Sequence, residues 1–259
     1  THSGNKKELR FDINKFSKFK DKIKYIVVDN QPPNILALDK SDDENKRGEK
    51  LILNGYARDN FQRECLNKGI LEASNDDLIL ISDLDEIPNL SNINFNKINN
   101  KLIIFEQKMF YYKFNLFYEN FKWFGSKATK KKNFISPQWL RDVKSKKYPR
   151  WRLDLLFSKR KYSDIFYINN GGWHFTCIRT PEELEKKLLN FAHHFEFEES
   201  GLKISDLKTL IAEKRVMYDH NVDQTAYKWS GKSKLKKISN DLLPNYIANN
   251  ISKFRDWLD

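Results

Sequence analysis

The chain has 259 residues, 47 of them Lys or Arg and 35 Asp or Glu, for a formal net charge of +12. Its 19 Phe, 11 Tyr and 6 Trp exclude a disordered chain, which lacks apolar surface to offset chain entropy. Nine Gly and seven Pro exclude collagen- or linker-like material, and no stretch approaches the ~20 apolar residues of a membrane span.

The length suits one large domain or two small ones, and is enough for a sizeable core. Lys24 to Asp29, a β-branched run, reads as a buried strand. Pro32-Pro33 and the charged run from Asp39 to Lys50 read as a surface loop. Tyr56, Phe61, Cys65, Leu66 and Ile70 recur at near-helical spacing, predicting a helix over 55–71 that closes near Gly69. Leu78 to Ser82 is an apolar strand without polar alternation, of the kind covered on both faces in α/β sheets. Strand, helix and strand in that order predict a βαβ unit. Lys101 to Phe105 is a further strand, and the aromatic segment from Met109 to Phe124 continues the sheet. Residues 126–150 read as a basic loop, and Leu153 to Phe157 and Ile165 to Ile168 as strands. Thr180-Pro-Glu-Glu183 is a capping-box helix start, and that helix should reach about Phe195. Helices are also expected over 205–219 and 244–258.

Four segments carry chemistry. In Asp83-Leu84-Asp85-Glu86-Ile87-Pro88 an apolar strand delivers two carboxylates at its C-terminal end, where open α/β sheets bind ligands. Asp83 and Asp85 can converge on one Mn²⁺ or Mg²⁺, since hard cations take oxygen ligands; alone, the same string often only caps a turn. In Asn170-Gly171-Gly172-Trp173-His174 the Gly pair permits close backbone approach, and His174 is either a metal ligand or a satisfied core histidine. His193, His194 and Glu196 close the helix begun at Thr180; adjacent histidines face different ways, so at most one faces a site. Arg58 and Gln62 share a helix face with Asn60 and Arg63 nearby, and a guanidinium can hold a diphosphate through paired hydrogen bonds.

The Lys residues are scattered, which suits a solvated surface better than a nucleic-acid footprint. Cys65 and Cys177 are too few for a disulfide framework. Few cysteines and the Lys/Asn bias point to a microbial or viral, cytoplasmic setting, with the Golgi lumen as the alternative.

These segments, with Thr1-His2-Ser3-Gly4, Lys6-Lys7, Lys187-Leu188, Leu243-Pro244-x-Tyr246 and Phe254-x-x-Trp257-Leu258, resemble glycosyltransferase family 17 in their order over nearly the whole chain. The resemblance implies a GT-A fold, a mixed central sheet flanked by helices. It implies an inverting transferase moving a sugar, GlcNAc first, from a UDP-sugar to a glycan acceptor with Mn²⁺ or Mg²⁺. It also implies one domain over 1–259 that lacks an initial strand, helix and strand. Asp85 is then the first metal ligand, Asp83 binds through water or holds the ribose, and His174 supplies a second ligand. Arg58, Asn60, Gln62, Arg63, Leu84 and Glu86 contact the donor or position those that do, Glu86 by orienting Arg58 or Arg63. Glu196 is the first candidate base, before Glu106 and Asp154, while Trp173, Trp123, Tyr112 and His194 face the acceptor. Another UDP-hexose, or a non-catalytic glycan- or RNA-binding module, are the alternatives.

Overall fold

Asp43 starts the first long element. In the computed structural model its carboxylate accepts the Lys46 amide at 2.8 Å, capping α1 (Glu44–Glu64). The structure describes residues 4, 6, 8–189, 194–220, 227–229 and 231–259. The cap places α1 inside the charged run expected as a loop, and a 3₁₀ turn over Cys65–Gly69 follows it. Residues 24–29 form no strand, and Tyr25 and Val27 stand exposed. A β-branched run with no neighbouring strand to pair with stays irregular, and the expected βαβ unit goes with it.

Among the described residues nine strands follow: β1 (Leu78–Ile81), β2 (Glu86–Pro88), β3 (Leu102–Phe105), β4 (Gln107–Tyr111), β5 (Leu116–Trp123), β6 (Lys127–Lys130), β7 (Ile165–Ile168), β8 (Gly172–Thr176) and β9 (Lys236–Lys237). They form two mixed sheets, ordered β1-β6-β3-β7 and β2-β8-β4-β5-β9. Two of the chain's crossings between the sheets run side by side. Glu106 joins β3 to β4 while Asn169 to Gly171 join β7 to β8, and β3–β7 and β4–β8 both run parallel. Gly171 N–H donates to the Glu106 carbonyl at 2.7 Å, and Glu106 N–H to the Ile168 carbonyl at 3.0 Å. Gly172 sits at φ +131, where a Cβ would stand 2.1 Å from the Ile87 carbonyl oxygen, so only glycine fits between β2 and β8.

Helices cover both sheets. The basic stretch read as loop contains β6 and then α2 (Pro137–Asp142), capped by Ser136. Trp139, Leu140 and Val143 pack on Ile79, Leu102 and Ile104 of the first sheet. The residues read as a strand at 153–157 are α3 (Asp154–Phe157). Thr180 and Glu183 make the expected reciprocal cap at the start of α4 (Pro181–Leu189). Helices α5 (His194–Ser200) and α6 (Ile204–Ala212) follow; α6 stops short of the 219 expected. Leu184, Leu188, Phe197 and Leu207 pack onto Met109, Tyr111 and Tyr118 on one face of the second sheet. On its other face Leu243 and, from α7 (Asn245–Ala248), Ile247 meet Phe110 and Phe175, with a 3₁₀ turn over Ile251–Trp257 where one longer helix was expected. The result is the mixed, helix-flanked sheet architecture expected from the sequence.

Candidate active site

The turn between β1 and β2 is held by Glu86. Its carboxylate is 5% exposed and accepts the Trp123 indole N–H at 2.6 Å, the Ser126 hydroxyl at 3.0 Å and the Asp83 amide at 3.2 Å. A buried carboxylate needs such donors to offset its lost hydration. The space beside it is full: a Cβ on Gly125 would lie 1.6 Å from Glu86 Oε1. Glu86 therefore does not orient Arg58 or Arg63; the guanidinium near it is that of Arg141, at 3.6 Å. Leu84 at the tip of the turn is fully exposed.

The two aspartates line the same cleft but have different partners. Asp83 Oδ2 lies 2.7 Å from Arg141 and its Oδ1 3.5 Å from Arg63, so both its oxygens face guanidinium groups. Asp85 faces His174, with Oδ2 3.6 Å from Nε2, because β2 and β8 pair Glu86 with His174. Burial raises the Asp85 pKa, but His174 and the Lys187 ammonium outweigh it and hold the carboxyl below the ordinary range. The His174 ring is stacked on Trp123, with centroids 4.4 Å apart. Its buried Nδ1 has no hydrogen-bond partner among the described residues.

Around this pair lies a cleft of about 360 Å³ whose wall includes Arg141, Lys187, Tyr218 and His220. His220 stacks on Phe121 and touches Tyr218, both at 4.9 Å. Burial, helped by the Lys228 and His174 charges, pushes its pKa down to about 4, so the ring is neutral at neutral pH. Among the described residues no group of three or more His, Cys, Asp and Glu is arranged to hold a metal; Asp85 and His174 offer two ligands.

Of the other expected residues, Arg63 reaches the site: it also pairs with Asp59 at 3.2 Å and donates to Gln138 at 2.6 Å. Arg58 donates to Gln31 at 2.8 Å, and Asn60 and Gln62 are exposed on α1. Glu196 is half-buried on α5 and is not among the residues that line the cleft. Glu106 lies on the seam between the sheets, paired with Lys122 at 3.0 Å. Asp154, in α3, is gripped by Arg152 at 2.8 Å and Lys161 at 2.7 Å, which lower its pKa to about 2. Neither lines the cleft, and a carboxylate that acidic is a poor proton acceptor at neutral pH. Tyr112 is 1% exposed and its hydroxyl accepts the Met217 amide, so it offers no face to a sugar. Trp123 is the wall behind His174. Trp173, one residue along β8, points to the opposite face of the sheet, where its indole donates to the Leu242 carbonyl at 2.8 Å. His194 begins α5; Thr1, His2, Ser3, Lys7 and His193 lie outside the described residues.

Sequence reading overlooked Arg141, His220 and Lys127. The Ser136-Pro137 helix start could have disclosed α2, which carries Arg141. Lys127 is 4% exposed and donates to the Arg141 and Val143 carbonyls at 2.7 and 2.5 Å, closing the C-terminal end of α2. Burial pushes its pKa down to about 8.

Carboxylate, imidazole and guanidinium groups around a cleft at strand ends, on a mixed α/β frame, are consistent with a sugar-transferring enzyme. Residues 1–258 match the model of glycosyltransferase family 17, and the chain belongs to that family; it is a glycosyltransferase. Among curated proteins and among solved structures, no match is found.

Proposed function

We propose that the chain is an inverting, metal-dependent transferase of GT-A type that moves GlcNAc from UDP-GlcNAc to a glycan acceptor. The observation that carries this reading is the Asp85–His174 pair, 3.6 Å apart beside Arg141 and Arg63. One carboxylate and one imidazole fit Mn²⁺ or Mg²⁺, which commonly take one or two protein ligands and complete their shell with water and substrate phosphates. When bound, such an ion would neutralise the charge of the departing diphosphate. The chain's own cations act on the same charge: Arg141 and Arg63 can exchange Asp83 for phosphate oxygens, and Lys187 adds a third positive group. Glu196 would accept the proton of the acceptor hydroxyl. Asp154 suits that role less, because Arg152 and Lys161 hold its charge.

A thermal-shift screen of UDP-sugars with and without Mn²⁺ tests the reading. UDP-GlcNAc should raise the melting temperature more with Mn²⁺ than without. Asp85→Ala should abolish that increment and transfer while leaving the circular dichroism spectrum intact; full activity in this variant sinks the assignment. Glu196→Gln should lower turnover by about 10²-fold or more with donor affinity unchanged.

A further inference from the structure

Residues 144–161 form a closed surface loop. Lys144 N–H donates to the Arg160 carbonyl at 2.7 Å and Tyr148 N–H to the Tyr162 carbonyl at 3.0 Å, pinning its two arms together. The Trp139 indole donates to the Lys159 carbonyl at 2.6 Å, tying the loop to α2. At its tip Trp151, Leu153, Leu156 and Phe157 are 80%, 76%, 78% and 89% exposed. Four large apolar side chains so bare within seven residues are not ordinary surface composition. The same loop carries eight Lys or Arg and a single acid, Asp154.

We propose that this loop is an interfacial anchor that docks on an anionic lipid surface. The chemistry selects that occupant. Trp, Leu and Phe at the tip of a basic element suit the boundary between headgroups and acyl chains, and the surrounding cations suit anionic headgroups. A second copy of the chain would bring eight further cations against the first eight. A polynucleotide would satisfy the charge but stacks on aromatic rings, leaving Leu153 and Leu156 bare. An uncharged apolar partner would leave the basic ring without a counterpart. The anchor lies on the surface and crosses nothing; no helix among the described residues is long and apolar enough to span a membrane.

The test is sedimentation of the full chain with vesicles of phosphatidylcholine alone and with about one third phosphatidylglycerol. Binding is expected only to the anionic vesicles and should weaken as salt rises. The double variant Leu156→Ser/Phe157→Ser, whose side chains contact solvent and leave the core alone, should bind about tenfold more weakly or worse. Quenching of tryptophan emission by brominated lipid should occur in the wild type and be lost in Trp151→Phe, which still binds. Absence of vesicle binding overturns the proposal. So does undiminished binding of the double variant, which would reduce the attraction to charge alone, and so does retention of polyuridylate without retention of vesicles.

Discussion

Glu86 organises more of the site than either aspartate before it. It gathers the Trp123 indole, the Ser126 hydroxyl and the Asp83 amide onto one buried carboxylate, and so fixes the turn from which Asp83 and Asp85 project. Gly125 must stay small for that to hold. Gly125→Ala should cost about 3 kcal/mol, from overpacking and from the displaced carboxylate, read by urea denaturation. The same variant should lose the Mn²⁺-dependent donor shift, because Trp123 backs His174. The Asp-x-Asp-Glu turn was legible in the sequence because strand, turn and carboxylates are neighbours in the chain. Arg141 was not, since it meets Asp83 across 58 positions and no local pattern records such a contact. For the same reason the sequence did not disclose that Asp83 pairs with Arg63 and Arg141 while Asp85 faces His174. Which way each turns depends on α1 and α2, which bring Arg63 and Arg141 to one of them.

Among elements, those whose signal is local were readable. The apolar runs of β1, β3 and β7 and the Thr180 cap of α4 all stand where expected. The two strands that failed share a cause: an apolar run becomes a strand only where another strand offers an edge. Residues 24–29 have none. Leu153–Phe157 stands out from the surface, and its short helix follows Leu153 with helical backbone angles. Lys127 shows how an element is held by a residue far from the chemistry. Its ammonium closes the end of α2, and α2 carries Arg141. Lys127→Met would leave two carbonyls without their donor and should cost about 1–3 kcal/mol in chemical denaturation. It should also raise the KM for the donor, since Arg141 would lose its fixed reach to the site.

For the whole molecule, the burial of titratable groups fixes the response to acid. Between pH ~6.5 and about 4 the unfolded chain binds a proton at His220 that the folded chain refuses. Stability should therefore be at full value above that window and fall by about 3 kcal/mol through it. Below it, Asp42 and Asp154, both held down to about 2 by lysine and arginine partners, lose their pairing as they protonate. Thermal melts from pH 7 to pH 3 should show both descents, and His220→Phe, which keeps a ring in the aromatic cluster, should flatten the upper one. A melt of His220→Phe as steep as the wild type between pH 7 and 4.5 would remove His220 from this account.

The paired crossings at Glu106 and Gly171 make the two sheets mechanically one. Each crossing strand is stitched to the other where it passes from sheet to sheet, so neither sheet can rotate without breaking both bonds. Any opening that admits substrates must then be confined to the helical cover, α4 to α6, which bears Lys187 and Glu196. Hydrogen exchange would register the division directly: the Glu106 and Gly171 amides should exchange only on global unfolding, while those of α4 to α6 exchange by smaller, earlier openings.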